Sequence, residues 1–169
     1  MGVSAVLILG IIAINHEYPL SNQETHNTDE IVIQSEIEPV IKTDLDIFLD
    51  ELGFKESTNN YKRVNSFGYM GKYQFGIHTL RSLGYTVSKQ EFLNSPEIQE
   101  QAMLDLLQHN KEYLDYYIKK YDGKYRHGVL ITESGILAAA HLAGQGNVRR
   151  YLRHGIDFRD GYGTSITYY

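Results

Sequence analysis

The chain has 169 residues, 42% of them apolar, which is enough for one globular domain and too few for two of ordinary size. Its net charge is −5, yet residues 1–42 hold six acids and one lysine, whereas residues 43–169 hold fifteen acids and fifteen Lys or Arg. This balance excludes a positive electrostatic potential over the whole domain, which binding to nucleic acid or to an anionic membrane surface would require. Because the chain has no cysteine, disulfides and thiolate chemistry are excluded as well.

The first 42 residues predict a leader and a linker. Residues 2–14 form an unbroken apolar or small run, shorter than the about 20 residues of a bilayer span but suited to an export signal. No Lys or Arg precedes the run and no clear cleavage site follows it, so a signal peptide, an N-terminal membrane anchor and a buried helix all stay open. Residues 15–42 are mostly polar and predict a flexible linker. We therefore expect an exported protein, periplasmic or secreted, or one held at the inner membrane by residues 2–14.

Residues 43–169 predict a mainly α domain, which begins with a helix capped by Thr43. Apolar residues then recur at helical spacing and predict a buried stripe, formed by Leu45, Phe48, Leu49 and Leu52. Four residues further the same stripe reaches Glu56. A carboxylate on the core-facing side of a helix end is an unusual placement, because burying it without a partner is costly, so we single it out.

The segment after Glu56 changes character. Residues 57–76 are rich in Asn, Gly and Tyr and predict an irregular segment or a short β-hairpin. A short helix over residues 77–83 should stop at Gly84. Ser88 with Glu91 predicts a capping box for another short helix.

Three more helices are predicted towards the C-terminus. The longest opens at Ser95-Pro96 and runs to Gly123. A helix rich in small residues begins at residues 132–133 and ends at Gly144, and one over residues 147–153 is capped by Gly155. The tail from residue 157 has no regular pattern.

Three segments carry the candidate chemistry: Glu56 with the polar residues after it, residues 68–76, and residues 139–148. Cleaving a glycosidic bond needs an acid that is still protonated near neutral pH, and a partly apolar site moves the pKa of a glutamate in that direction. Glu56 has the setting for this role.

The order of these segments resembles the lysozyme-like superfamily, particularly lytic transglycosylases. Glu56-Ser57 matches the catalytic Glu-Ser pair that closes a helix, residues 71–74 match a Gly-Leu-Met-Gln turn, and residues 140–144 take the place of Ala-Tyr-Asn-Ala-Gly. His141 and the leucine after it depart from the family's Tyr and Asn, so one sugar-binding or intermediate-stabilising contact is lost or rebuilt. Residues 160–165 resemble a segment of some phage-like and secreted cell-wall enzymes.

The resemblance implies a lysozyme-like (α+β) catalytic domain over residues 43–169. It implies cleavage of the β-1,4 bond between N-acetylmuramic acid and N-acetylglucosamine in peptidoglycan, with Glu56 as general acid and base. The implied substrate-binding residues are Ser57, Tyr61, Tyr69, Tyr73, Gln74, His141, Gly144, Asn147 and Tyr162. From the residues alone, loop packing for the tyrosines and a hydrogen-bonded core position for the histidine stay open.

The expected partners are peptidoglycan glycan strands and an immunity or inhibitor protein, with no nucleic acid and with membrane contact only through residues 2–14. We expect a monomer with no cofactor. We also expect no metal, because the seven histidines lack ligand spacing.

The reaction type depends on a second carboxylate, and none occurs between Glu56 and Glu91. This favours a non-hydrolytic route that leaves a 1,6-anhydro end. The alternative is hydrolysis of the lysozyme type, in which Glu133, Asp157 or Asp160 folds back to orient water. A third reading is a non-catalytic module that binds peptidoglycan or chitin in a secretion or phage-tail assembly.

Overall fold

The structure is a computed structural model that describes residues 42–168. Residues 1–14 and all of the predicted linker except Lys42 lie outside the described residues. In residues 42–168 six α-helices and one two-stranded sheet follow in the order α1 (Asp44–Ser57), α2 (Ile77–Ser82), α3 (Lys89–Asn94), α4 (Pro96–Tyr121), β1 (Tyr125–Arg126), β2 (Val129–Leu130), α5 (Glu133–Ala143) and α6 (Gln145–His154), with a 3-10 turn at Ile166–Tyr168. The prediction of a mainly α domain is confirmed.

Local capping fixes where the helices start. The Thr43 hydroxyl accepts a hydrogen bond from the Asp46 backbone N–H at 3.2 Å, and the Asp46 carboxylate accepts one from the Thr43 N–H at 2.8 Å. Ser88 caps α3 in the same reciprocal way, and Pro96 opens α4. Thr132 accepts from the Gly135 N–H at the start of α5. These predicted starts are confirmed, and α6 begins two residues earlier than predicted.

The hydrophobic core is built around α4, which packs against α3, α5 and α6. The side chains on its inner face are fully buried, among them those of Ala102, Met103 and Leu114. Helix α1 contributes Leu49 and Leu52, but Leu45 is 48% exposed, so the predicted stripe is wrong at its first position. The first turn of α1 lies at the edge of the domain, where it covers less of the core.

The regular sheet lies elsewhere than predicted. It joins α4 to α5 as an antiparallel hairpin, with Tyr125 opposite Leu130. Residues 57–76 form only isolated bridges, Val64 to Met70 and Met70 to Phe75, so this segment is irregular with hairpin-like pairing. Two-residue strands carry no alternating pattern, which is why the sequence did not predict the hairpin. Within residues 42–168 no helix has the length and apolarity needed to cross a membrane.

Candidate active site

Glu56 lies in the last turn of α1, where the helix meets a groove. The helix stops because Thr58 adopts a left-handed conformation (φ 59°), and its N–H and that of Asn59 bond back to the carbonyls of Phe54 and Gly53. The Glu56 side chain is half-buried and forms part of the groove wall. A half-buried carboxyl beside a groove can contact a ligand while the protein still encloses part of its side chain.

The groove consists of two adjoining cavities of about 180 and 410 Å³. Both are lined by Glu56, Asn65, Gln74, Leu142, Asp160 and Tyr162. The smaller cavity adds Phe67, Tyr69, His141 and Gly161, and the larger one adds Lys55, Arg63, Thr164 and Tyr168. Amides, hydroxyls, rings and two carboxyls therefore converge on one depression.

A larger depression of about 800 Å³ lies between α1, α4 and α5, but its chemistry is different. Five of its eleven lining residues are leucine or phenylalanine, and its Glu133 carboxylate is paired with Lys111 at 2.6 Å. The carboxyl of Asp105 accepts a hydrogen bond from Tyr85 at 2.6 Å. The groove at Glu56 instead brings amides, aromatic rings and two carboxyls together, so we place the candidate site there.

The turn before Phe75 carries Gln74 into the groove. Gly71 has φ 77°, and a Cβ there would collide with the side-chain amide of Gln99, so only glycine fits. Gln74 itself has φ 52°, a strained conformation for a residue with a side chain. Its Nε2 donates to the Gly71 carbonyl at 2.8 Å, which fixes the amide at the groove wall. Such strain is typical of sites where function dictates the geometry.

The reverse side of this turn is anchored on α4. The hydroxyls of Tyr61 and Tyr73 each donate to the Glu100 carboxylate at 2.6 Å, and Lys72 Nζ donates to it at 2.9 Å. Burial acts to raise the pKa of Glu100, but these three hydrogen bonds and the Lys72 charge together hold it below its ordinary value. Burial and the bond to Glu100 raise the pKa of both tyrosines. Neither tyrosine lines the groove and Tyr73 is fully buried, so we drop both from the proposed substrate-binding set.

Ser57 also supports the turn rather than facing the groove. Its side chain is buried, and its hydroxyl donates to the Lys72 carbonyl at 2.7 Å while accepting from the Asn60 N–H at 2.9 Å. These bonds join the end of α1 to the turn that bears Gln74. Ser57 therefore acts as a positioning residue and is removed from the sugar-contacting set.

His141 reaches the groove from α5. Its Nε2 lies 2.8 Å from the Tyr73 carbonyl oxygen, which can only accept, so Nε2 carries a proton and donates this bond. Burial lowers the pKa of His141, and the nearby Glu56 charge and the bond to Tyr73 oppose that shift only in part. A neutral histidine thus holds the backbone immediately before Gln74 and forms part of the smaller cavity.

The C-terminal tail also contributes to the groove wall. The Oδ1 atom of Asp160 accepts from the N–H groups of Tyr162 and Thr164, at 2.9 and 2.7 Å, which folds the tail into a tight turn. The Tyr162 ring meets the Phe67 ring edge-on at 4.9 Å, and its hydroxyl lies 3.0 Å from that of Ser66. Of the three remote acids considered from the sequence, Asp160 alone lines either cavity.

The remaining predicted site residues separate into two groups. Tyr69 and Tyr162 line the groove, together with Gln74. Gly144 and Asn147 do not line it, because they form the junction of α5 and α6, where the Asn147 side chain donates to the Ala143 carbonyl at 2.9 Å. Both residues cap and connect helices, and we drop them from the site.

Sequence reasoning missed Asn65 and Phe67. The Asn65 side-chain oxygen accepts from the N–H groups of Phe67 and Tyr69 at 3.0 Å each, so it shapes the bend that presents both rings. The Asn-Ser-Phe-Gly run ending at Gly68 is a turn signal that indicates such a bend, although it does not reveal which way the bend faces.

Comparison of the chain with protein-family models, with curated proteins and with solved structures found no match.

Proposed function

We propose that residues 43–169 form a lysozyme-like domain that cleaves the β-1,4 bond between N-acetylmuramic acid and N-acetylglucosamine in peptidoglycan. Glu56 serves as the general acid and then as the base. The observation that carries the proposal is the position of Glu56, half-buried at the end of α1 in the wall of a groove that also holds Gln74 and His141. General acid catalysis needs a carboxyl that is fixed in place and beside the substrate.

The groove lining is suited to a sugar polymer. The amides of Asn65 and Gln74 offer both donors and acceptors to hydroxyl and N-acetyl groups. The rings of Phe67, Tyr69 and Tyr162 offer flat faces on which pyranose rings can pack. This mixture of a few polar groups with aromatic surface is typical of ligand sites.

The first reaction route is non-hydrolytic. Glu56 donates its proton to the glycosidic oxygen as the C1–O bond breaks, and the N-acetyl group of the muramic acid assists departure. Glu56 then takes the proton from the C6 hydroxyl of the same sugar, whose oxygen bonds to C1. The product carries a 1,6-anhydro end, and the glutamate returns to its starting state.

Asp160 supports a second route, hydrolysis of the lysozyme type. Glycosidases that use water commonly place two carboxyl groups about 5–9.5 Å apart across the scissile bond. Asp160 lines both cavities together with Glu56, and its two backbone hydrogen bonds fix its orientation. This remote residue offers the hydrolytic route the partner that the sequence near Glu56 lacks.

Digestion of purified peptidoglycan sacculi tests the proposal and separates the routes. Soluble muropeptides are analysed by mass spectrometry after incubation with the wild type and with Asp160→Asn. Anhydro ends that persist in Asp160→Asn support the first route, whereas reducing ends that disappear in the variant support the second. If the wild type releases nothing while it still binds sacculi, the cleavage proposal fails and the non-catalytic module replaces it.

A further inference from the structure

The two cavities that meet at Glu56 differ in size and in charge. No lysine or arginine of residues 42–168 lines the smaller cavity, whereas Lys55 and Arg63 line the larger one. The larger cavity has a volume of about 410 Å³, against about 180 Å³ for the smaller. Because Glu56 and Asp160 line both cavities, the two cations account for the difference in charge between them.

Lys55 is engaged by the C-terminal tail. Its Nζ donates to the Tyr168 carbonyl at 3.0 Å and lies 4.5 Å from the centre of the Tyr168 ring. These contacts hold the end of the tail on α1. Lys55 therefore adds positive charge to the larger cavity from a fixed position.

The Arg63 side chain, by contrast, is available to a ligand. It is exposed, and within the part of the chain that the structure describes it makes no hydrogen bond and no ion pair. A guanidinium keeps its charge at any ordinary pH and presents its N–H donors in a planar fork, which matches the two oxygens of a carboxylate. Arg63 thus offers the larger cavity a binding group for an anion.

The backbone holds Arg63 beside the turn that carries Gln74. The Arg63 carbonyl accepts from the Gly71 N–H at 2.8 Å, and its own N–H donates to the Asn60 carbonyl at 3.2 Å. The Asn60 N–H donates in turn to the Ser57 hydroxyl at 2.9 Å, at the end of α1. The position of the Arg63 backbone is therefore set by the same contacts that join α1 to the turn, and its side chain alone adjusts to a ligand.

The proposed substrate has a matching asymmetry. Its two sugars alternate along the strand, and N-acetylglucosamine is uncharged. N-acetylmuramic acid carries a lactyl group, whose carboxyl is either free or linked to a stem peptide that bears carboxylates of its own. In such a strand, an arginine beside the cleaved bond can meet one kind of anion, a carboxylate borne by the muramyl residue.

We propose that Arg63 binds this carboxylate, so that the muramyl residue occupies the larger cavity and N-acetylglucosamine the smaller one. This assignment rests on the proposed function and gives the strand a register at Glu56. A shift by one sugar would bring the uncharged sugar to Arg63 and the other β-1,4 bond of the strand to Glu56. Arg63 therefore selects which of the two alternating bonds is cleaved.

The carboxyls of the cavity are compatible with an anionic group of the substrate. A general acid carries its proton when the substrate binds, so Glu56 adds no negative charge in the state that cleaves. The Oδ1 atom of Asp160 accepts hydrogen bonds from the N–H groups of Tyr162 and Thr164. The substrate carboxylate thus meets Arg63 as its main charged partner.

Co-sedimentation with peptidoglycan sacculi tests the proposal. All proteins are full chains that carry Glu56→Gln, so binding is measured without cleavage. Native sacculi free of teichoic acid are compared with sacculi whose carboxyls have been amidated with carbodiimide and methylamine. The test variant is Arg63→Gln. The control is Lys62→Gln, which makes the same change in net charge at an exposed neighbour that lines neither cavity.

We expect Arg63→Gln to bind native sacculi on the order of tenfold more weakly than the chain with Glu56→Gln alone, because a charge-assisted bond to a carboxylate is lost. The two should bind amidated sacculi equally, and Arg63→Lys should recover part of the binding to native sacculi. Equal binding of Arg63→Gln and Lys62→Gln to native sacculi would overturn the proposal. So would a loss in Arg63→Gln that persists on amidated sacculi.

A third preparation separates the two sources of the carboxylate. An N-acetylmuramoyl-L-alanine amidase removes the stem peptides and exposes the lactyl carboxylate. If binding to these sacculi still depends on Arg63, the lactyl carboxylate is a ligand; if the dependence is lost, the ligand is a carboxylate of the stem peptide.

Muropeptide release by chains that retain Glu56 separates this proposal from the proposed function. If the wild type releases nothing while binding still depends on Arg63 and on carboxylates, cleavage fails and the recognition of the carboxylate stands. If the wild type cleaves, and Arg63→Gln cleaves native sacculi at the same rate, the proposed function stands and the role of Arg63 is overturned.

Discussion

The segment between α1 and α2 has two faces: the side chains of one are hydrogen-bonded to α4, and those of the other line the groove. On the face towards α4, Lys72 and two tyrosine hydroxyls bind Glu100, and Gln99 holds the backbone. On the face towards the groove, Gln74 and Tyr69 line a cavity, and Tyr69 is half-exposed. Neighbouring residues, such as Tyr73 and Gln74, belong to different faces.

The difference shows how a short irregular segment can hold a site without regular structure. The anchored face satisfies its polar groups with fixed partners, so changes there should reduce stability. The groove face is shaped by turns and keeps side chains available to a ligand, so changes there should reduce activity with little loss of stability. Each variant below tests that separation.

Gly71→Ala should have the largest effect, a loss of about 3–5 kcal/mol in the free energy of unfolding. Its positive φ disfavours alanine, and the new methyl collides with Gln99, which three hydrogen bonds hold in place. Gly68→Ala is the matched control, because Gly68 has φ 84° but open space around it. Denaturant unfolding followed by circular dichroism measures both variants. Equal losses would mean that Gln99 does not set the turn.

Glu100→Gln should lower the unfolding free energy by about 2–3 kcal/mol, because it leaves the buried Lys72 without its main partner. Glu97→Gln, an exposed neighbour on α4, should change little. The pKa of Glu100 is held below its ordinary 4.5, so its contribution is complete above that pH and is lost as the pH falls below it. The gap between wild type and Glu100→Gln should therefore narrow in acid; a gap independent of pH would contradict the account.

Gln74→Ala should slow muropeptide release by about tenfold to a hundredfold. Its unfolding free energy should stay within about 1 kcal/mol of wild type, because only the bond to the Gly71 carbonyl is lost. Tyr73→Phe is the mirror control, since it removes a bond to Glu100 and leaves the groove lining unchanged. It should lose stability and keep activity at temperatures where it is folded. If the two variants lost stability and activity to the same extent, the distinction between the two faces would be wrong.

The smallest effect concerns His141. Because burial lowers its pKa, the folded state resists protonating it, and its contribution to stability is complete above pH 6.5 and lost as the pH falls. Between about pH 7.5 and 5.5 the wild type should lose about 1 kcal/mol more than His141→Gln, which keeps an N–H donor but does not titrate. Chemical unfolding at the two pH values measures this difference. A larger loss in His141→Gln would show that the histidine is charged in the fold.

Sequence patterns predicted the parts of the domain that local chemistry decides. Thr43, Ser88 and Thr132 cap helices through bonds to residues three positions away, so nearby sequence is sufficient. Helix periodicity singled out Glu56, and the resemblance to the Gly-Leu-Met-Gln turn singled out Gln74; the structure places both in the lining of one groove. That the two residues line the same cavities could be seen only in the structure.

The other features depend on contacts between distant residues. Tyr61 and Tyr73 turn away from the groove because Glu100 accepts their hydroxyls from 39 and 27 residues away. Asp160 reaches the groove because the tail folds back and Tyr162 packs on Phe67.

The account rests on Glu56 as the proton donor, and the rate of muropeptide release from sacculi by Glu56→Gln tests it most directly. Glu51→Gln, an exposed glutamate on the same helix, is the control. We predict that Glu56→Gln falls at least about a hundredfold below wild type with unchanged thermal unfolding, while Glu51→Gln keeps its activity. Undiminished release by folded Glu56→Gln would contradict the assignment.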